Sequence, residues 1–256
     1  MSSIGRTACV VGMSLLATSC GRKGALIYPD MLVPAAPASV TAQQSGSAVK
    51  LRFILPDKDR AGRPVQGVAG VKISRRVTEA DRKDACRSCM TDYLPFRTLY
   101  LDHLPTDTQR SGSRLILLDS DVRAGNIYSY SIVPFTVERL DGAASIVADV
   151  RVGAPFAAPS LELTAFPTEV KLHFSRQSLL AGQFTGYNIY RSAVATGRPY
   201  QPLNKEPLNV SEYTDSALER GVSYRYWARA VIRQVSGEVV ESMESEEVQG
   251  RLKDDE

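Results

Sequence analysis

Two cysteines separated by two residues, Cys86 and Cys89, carry the clearest chemical potential in this chain. Such a pair can form a local disulfide, work as a redox pair or supply half of a zinc site. Zinc needs about four ligands, and the sequence has no second pair of this kind. A redox pair usually lies at a helix start, which lowers the thiol pKa, and nothing here predicts a helix. We expect a disulfide between Cys86 and Cys89, with a redox pair, a metal site or free thiols as alternatives.

Other catalytic motifs are absent from the sequence. There is no Gly-x-Ser-x-Gly, no phosphate-binding loop and no His-x-x-Glu-His, and the histidines are His103 and His173. The run from Asp57 to Gly62 has carboxylates at calcium-loop spacing, but Ala61 replaces the third ligand and no glutamate closes the loop. We therefore predict no catalytic residue, no metal site and a protein that is not an enzyme.

Composition limits the possible partners. The chain has 256 residues, with 31 Lys and Arg against 28 Asp and Glu, so no strong positive field favours nucleic acid. Apolar residues make up 43% and charged residues 23%, which is typical of globular protein. The length is sufficient for two domains.

The N-terminus has the pattern of an export signal over residues 1–19. Arg6 precedes an apolar run from Ala8 to Ala17. This run is too short to cross a bilayer, which needs about 20 residues, but it suits a signal peptide. An exported chain meets an oxidising compartment, which favours a disulfide at Cys86 and Cys89.

The residues Leu16-Ala-Thr-Ser-Cys20 resemble the lipobox of bacterial lipoproteins. The resemblance implies cleavage before Cys20 and attachment of diacylglycerol and acyl groups to that residue, with no other cofactor. The alternative is an ordinary signal peptide whose cleavage site lies near a cysteine. The following Gly21-Arg-Lys-Gly-Ala-Leu resembles the start of some small Gram-negative outer-membrane lipoproteins, which implies an outer-membrane location. Residues 20–37 contain Pro29, Pro34 and Pro37 and predict an extended tether.

An internal repeat organises the rest of the chain. The run Val49-Lys-Leu-Arg-Phe53 returns as Val170-Lys-Leu-His-Phe174, and alternation places the three apolar residues of each run on one face of a strand. An aliphatic residue, a glycine and a tyrosine at three-residue spacing also occur twice, ending in Tyr128 and Tyr224. The chain therefore contains two copies of one β module.

The second copy resembles the fibronectin type III module in Gly186-Tyr-Asn-Ile-Tyr-Arg-Ser192, in Tyr213-Thr-Asp215 and in the spacing that ends in Tyr224. The resemblance covers residues 38–153 and 159–252. It implies an all-β protein with two tandem immunoglobulin-like sandwiches, in which Tyr128 and Tyr224 form structural corners between sheets. Both modules have phenylalanine, Phe53 and Phe174, where the family usually has tryptophan.

Two segments distinguish the copies. The first module is longer before its corner, with an insertion at about 77–98 that contains Cys86 and Cys89 and predicts a charged surface loop.

The linker from Gly153 to Ser160 contains two prolines, so we expect the modules to stand as beads with limited bending.

These patterns together predict a non-enzymatic, lipid-anchored protein of the cell envelope. It would display the two modules for binding a protein or an envelope polymer, with the membrane as a further partner through Cys20. The alternative is a periplasmic thiol-disulfide factor working through Cys86 and Cys89. A third interpretation, a carbohydrate-binding module, requires rows of exposed aromatic side chains, and Trp227 is the single tryptophan.

Overall fold

The computed structural model describes residues 28–65, 67–79, 92–175 and 182–254. Apart from one 3-10 turn at Pro29–Met31, the regular structure of this part of the chain is β-strand. The strands are β1 (Ala38–Ser45), β2 (Ala48–Ile54), β3 (Val68–Glu79), β4 (Leu94–Tyr100), β5 (Thr108–Ser111), β6 (Arg114–Asp119), β7 (Asn126–Thr136), β8 (Ser145–Arg151), β9 (Ser160–Ala165), β10 (Val170–Ser175), β11 (Gln183–Ala193), β12 (Glu212–Asp215), β13 (Tyr224–Arg233), β14 (Val239–Glu241) and β15 (Val248–Gly250).

Module 1, residues 38–153, packs two antiparallel layers face to face. One layer has the order β1-β2-β6-β5 and the other β4-β3-β7-β8. Strand β2 contributes Val49, Leu51 and Phe53, which are all fully buried, because alternate side chains of a strand point to the same face. The predicted core face of β2 is therefore confirmed.

Module 2, residues 159–252, repeats this arrangement. Its layers are β12-β10-β9 and a sheet in which β13 pairs with β11, β14 and β15. Val170, Leu172 and Phe174 of β10 are buried in its core. His173 lies on the opposite face of β10 and its side chain is 47% exposed, as the alternation predicts. The prediction of an all-β chain with two immunoglobulin-like sandwiches is confirmed.

No helix in the described part of the chain is long and apolar enough to span a membrane.

The two repeated tyrosines have matching geometry. The backbone N–H of Arg123 donates to the Tyr128 hydroxyl at 2.7 Å, and the N–H of Glu219 donates to the Tyr224 hydroxyl at 3.1 Å. Each tyrosine therefore bonds to backbone five residues upstream. The glycine of each turn has positive φ, +89° at Gly125 and +77° at Gly221, a conformation that glycine adopts at little cost.

Each module also contains a buried triad of arginine, aspartate and tyrosine. In module 1 these residues are Arg75, Asp119 and Tyr130, and in module 2 they are Arg191, Asp215 and Tyr226. Both oxygens of each aspartate accept from the arginine, and one of them also accepts from the tyrosine hydroxyl. Burial and the neighbouring aspartate raise the pKa of both tyrosines, so these hydroxyls act as donors. The triad joins the two layers of each sandwich with a satisfied polar contact.

Part of the predicted tether is packed against module 1. The carbonyl of Pro34 accepts from the N–H of Ala143, the N–H of Ala35 donates to the carbonyl of Lys58, and the Ser145 hydroxyl donates to the carbonyl of Pro37. The expectation of an extended tether over all of residues 20–37 is therefore wrong for residues 31–37, because their backbone groups find partners in module 1.

The insertion at about 77–98 is partly strand. Its first residues extend β3 to Glu79, where they pair with β7, and its last residues begin β4 at Leu94, which pairs with Arg75 of β3. The central part, with Cys86 and Cys89, lies outside the described residues.

Removing the corner hydroxyls tests their structural role. We expect Tyr128→Phe and Tyr224→Phe each to lower the free energy of unfolding by about 1 kcal/mol, because a backbone N–H loses its partner. Tyr224→Ala should cost about 3–5 kcal/mol through the cavity it leaves. Urea titration of each variant measures these values, and Tyr100→Phe is the matched control, since Tyr100 is 51% exposed. Equal stability of Tyr224→Ala and the parent would contradict a corner role.

Candidate inter-module site

The two modules share a sheet. Ser45 of β1 pairs with Glu241 of β14 in parallel register, which joins the β1-β2-β6-β5 layer of module 1 to the β11-β13-β14 layer of module 2. The linker is fixed at the same place. The Gln44 side chain donates to the Gly153 carbonyl and accepts from the Gly153 N–H, each at 2.9 Å. The expectation of beads with limited bending is therefore wrong, because main-chain and side-chain contacts hold the modules side by side.

A buried carboxylate lies at the centre of this junction. Glu241 of module 2 is 1% exposed, and Lys50 of module 1 donates to its Oε2 from 2.6 Å. The same oxygen accepts from the Ser45 hydroxyl, while Oε1 accepts from Asn188 at 2.6 Å and from the Tyr190 hydroxyl at 2.8 Å. Each carboxylate oxygen thus has two donors, and donors from both modules converge on one group.

The ionisation of the pair follows from these contacts. Burial opposes the charge of Glu241, but the ammonium of Lys50 and the hydrogen bonds of Lys50, Ser45 and Asn188 outweigh it and lower the pKa of Glu241 to about 2. Burial also lowers the pKa of Lys50, an effect that the attraction of Glu241 opposes. Burial and the nearby carboxylate raise the pKa of Tyr190 well above its usual value. We conclude that Glu241 is ionised and Tyr190 is a neutral donor.

A loop of module 2 clamps module 1 beside this pair. The Gln109 side chain donates to the Arg198 carbonyl at 2.6 Å and accepts from the Tyr200 N–H at 2.7 Å. The Tyr200 hydroxyl donates to the Thr106 carbonyl at 2.7 Å. The Gln109 amide thus bonds a carbonyl and an N–H group of the loop, as the backbone of a neighbouring strand would. These bonds fix the loop against the β5 edge of module 1.

Between the clamp and the buried pair lies a cleft of about 630 Å³ with walls from both modules. Trp227 forms part of its wall, stacked on Tyr190 with ring centroids 5.7 Å apart, and the Arg198 guanidinium lies 4.1 Å from the Trp227 ring centroid. Arg198 and Arg229 both pair with Glu244. Clefts of this volume lie within the range of small-ligand sites.

The aromatic residues of the cleft do not form an exposed platform. Trp227 is 3% exposed and Tyr190 is 2% exposed. A carbohydrate-binding module needs exposed aromatic faces, and these two rings do not supply them in the cleft. The cation–π contact of Arg198 with Trp227 instead stabilises the wall of the cleft.

The residues predicted from the sequence are not brought together here. Cys20, Cys86 and Cys89 lie outside the described residues, so their predicted lipidation and disulfide stay predictions. Tyr128 and Tyr224 lie in the cores of separate modules, 2% and 9% exposed. Within the described ranges, no group of three or more His, Cys, Asp or Glu side chains could hold a metal ion.

Sequence reasoning missed the junction residues. The triads within the modules did leave a signal in the sequence, because Arg75 and Arg191 follow equivalent glycines, Gly70 and Gly186, by five residues. No such signal marked Lys50, Glu241 or Gln109, since a contact between modules leaves no periodic pattern along the chain.

Comparisons with known proteins identify no family for this chain. No protein-family model matches it, and no curated protein matches its sequence. Among solved structures, it is similar to the crystal structure of chicken CNTN1 FN1-FN3 domains, with 13% sequence identity and a TM-score of 0.33. The similarity covers 86% of this chain and 68% of that chain. At this identity and TM-score the likeness assigns neither a function nor a partner.

Breaking the buried pair should be costly. We expect Glu241→Gln to lower the free energy of unfolding by about 3–5 kcal/mol, because it leaves the Lys50 ammonium buried without a countercharge. The double variant Lys50→Met with Glu241→Gln should lose less, since no unpaired charge remains. Urea denaturation of the single and double variants measures the difference.

The half-exposed pair of Lys72 and Asp141 provides the matched control, with an N–O distance of 2.7 Å. Asp141→Asn should cost at most about 1 kcal/mol, because solvent screens the pair. Equal losses for Asp141→Asn and Glu241→Gln would contradict the role given to the junction.

Acid should weaken the parent protein more than Glu241→Gln. The pKa of Glu241 is about 2 in the folded protein and its ordinary value is 4.5, so the folded state favours the ionised form. Its contribution is complete above pH 4.5 and is lost as the pH falls toward 2, amounting to roughly 3 kcal/mol. Unfolding free energies measured across this window should converge for the two proteins at low pH. Parallel curves would show that Glu241 does not titrate as described.

Proposed function

We propose that this chain is a lipid-anchored, non-enzymatic protein of the cell envelope that presents two fibronectin type III-like modules as one binding body. The outer membrane is the proposed location and Cys20 the proposed anchor. The proposed partner is an envelope protein or polymer that contacts both modules at the cleft.

The junction is the observation that carries this proposal. Gln44 fixes the linker, Gln109 fixes the loop that carries Arg198, and Lys50 pairs with Glu241, so the cleft walls are held in a set arrangement. A preformed binding surface avoids the entropic cost of ordering two flexible modules when a partner binds.

The packed N-terminal segment supports the anchoring part of the proposal. In the described part of the chain, the first backbone hydrogen bond to module 1 is at Met31, whose carbonyl accepts from the N–H of Ala61. Met31 follows Cys20 by 11 residues, a length that spans at most roughly 38 Å. An acylated Cys20 would therefore keep this end of module 1 close to the membrane.

That end of module 1 also exposes apolar side chains. Leu32, Val137 and Leu140 are 44%, 70% and 53% exposed, and Tyr28 is 60% exposed. They belong to two segments that contact each other, since the Ala143 N–H donates to the carbonyl of Pro34. An apolar rim beside the anchor suits contact with the headgroup boundary of a bilayer.

Site-specific photocrosslinking in the native envelope tests the binding function. A photoreactive residue at Ser47, which is exposed at the cleft rim, should capture a discrete partner. The same residue at His173, which is exposed on β10 and does not line the cleft, is the matched control. Equal capture at both positions, or none at Ser47, would remove the cleft as the binding surface.

Labelled palmitate tests the anchor separately. The parent protein should incorporate the label and fractionate with the outer membrane, and Cys20→Ala should do neither. Unchanged labelling in Cys20→Ala would remove Cys20 as the attachment site while leaving the cleft proposal intact.

A further inference from the structure

A second cavity of about 460 Å³ lies along the same junction, and its walls carry three cations. Arg52 and Arg114 come from the β2 and β6 strands of module 1, and Lys205 comes from a loop of module 2. We call this space the cationic cavity, after Arg52, Arg114 and Lys205. Lys50 and Arg52 are two residues apart on β2, so they share the face of the sheet that module 2 covers.

Strand register brings the module 1 groups together. Arg52 pairs with Thr41 of β1 and with Ile116 of β6, while Arg114 pairs with Ile54. Cross-strand partners point to the same face of a sheet. The guanidinium groups of Arg52 and Arg114 and the hydroxyl of Thr41 are therefore directed to one wall of the cavity.

The loop of module 2 that forms the other wall is anchored. The Asn204 side chain accepts from the Ile189 N–H at 2.8 Å and donates to the carbonyls of Tyr187 at 3.0 Å and Glu206 at 2.7 Å. These bonds use both N–H donors of Asn204, so this residue has no donor left for an anion, and they hold the adjacent Lys205 at the cavity.

The three cations of this cavity differ in exposure, since Arg52 is half-buried whereas Arg114 and Lys205 are exposed. None of the cavity's described lining residues is Asp or Glu. The Nε atom of Arg52 is buried and has no hydrogen-bond partner among the described residues, and Arg114 contacts Gln201 at 3.5 Å.

The neighbouring cleft differs in its charges, because its arginines, Arg198 and Arg229, both pair with Glu244. The Nε atom of Arg198, like that of Arg52, is buried without a hydrogen-bond partner among the described residues. The same junction therefore pairs one set of cations with a carboxylate and places the other set around a cavity whose described lining has none.

From these observations we infer that the cationic cavity binds the phosphate monoester of an organic ligand. Guanidinium groups match the geometry of phosphate oxygens and donate to them in pairs. Three cations suit a doubly charged phosphate monoester better than a singly charged carboxylate. The volume exceeds that of a phosphate group, so there is room for the organic body to which it is attached. This inference depends neither on the anchor nor on the partner proposed above.

Calorimetric titration at constant ionic strength tests it, using the full chain with Cys20→Ala. We expect glucose 6-phosphate to bind saturably, glucuronate to bind at least tenfold more weakly, and glucose not to bind. Arg52→Gln should weaken binding of glucose 6-phosphate at least tenfold, and Lys205→Gln should weaken it several-fold. Lys58→Gln, which removes an exposed cation of module 1 that does not line the cavity, should leave it unchanged.

Vesicles of phosphatidylcholine with and without phosphatidic acid distinguish a lipid headgroup from a soluble phosphate. Binding to phosphatidic acid that Arg52→Gln reduces would assign the site to a lipid, and binding of the sugar phosphate alone would assign it to a soluble ligand. Either result supports the inference. Three results would overturn the inference. The first is that neither glucose 6-phosphate nor phosphatidic acid binds saturably, the second is that glucuronate binds as tightly as glucose 6-phosphate, and the third is that Arg52→Gln and Lys205→Gln both leave binding unchanged.

Discussion

The carboxylate of Glu241 is the group on which the arrangement of this protein depends. Placing a charge in the interior costs several kcal/mol unless it is paired and hydrogen-bonded. Four donors around the two oxygens of Glu241 meet this condition, and they come from both modules. If the modules separated, Lys50 of module 1 and Glu241 of module 2 would each lose the opposite charge. The pair therefore favours one docking geometry over others.

The duplicated modules place the same motif in two environments. Lys50 and Lys171 occupy equivalent positions in the two Val-Lys-Leu runs. The Lys50 side chain is 3% exposed against Glu241, whereas the Lys171 side chain is 34% exposed and lies 3.6 Å from Glu212 at the surface. Strand β2 is covered on both faces, by the core of module 1 and by module 2. One copy of the repeat has therefore acquired a second interface that the other copy lacks.

The sequence was sufficient to predict what depends on local periodicity. Alternation at Val49, Leu51 and Phe53 predicted the core face, and the spacing that ends in Tyr224 predicted the tyrosine that bonds back to the turn. These features repeat along the chain because each module must satisfy the same folding demand. The junction could not be predicted, since a period of two residues identifies the face on which Lys50 lies but not what covers that face.

The linker illustrates the same limit. Its two prolines predicted a stiff spacer, and stiffness alone suggested separate modules. The Gln44 side chain bonds both backbone groups of Gly153, a contact over a long sequence separation that composition does not encode. The junction has two candidate sites, the cleft and the cationic cavity. Both are formed by the docking of the two modules, so the sequence did not predict them either.

Residual dipolar couplings test most directly whether the modules form one body. Backbone N–H couplings of module 1 and module 2, measured in one aligned sample of the Cys20→Ala protein at neutral pH, should fit a single alignment tensor with the modules in the orientation described here. In Glu241→Gln the two modules should require separate tensors. Separate tensors of different magnitude in the parent protein would show that the modules move independently, and would contradict the account.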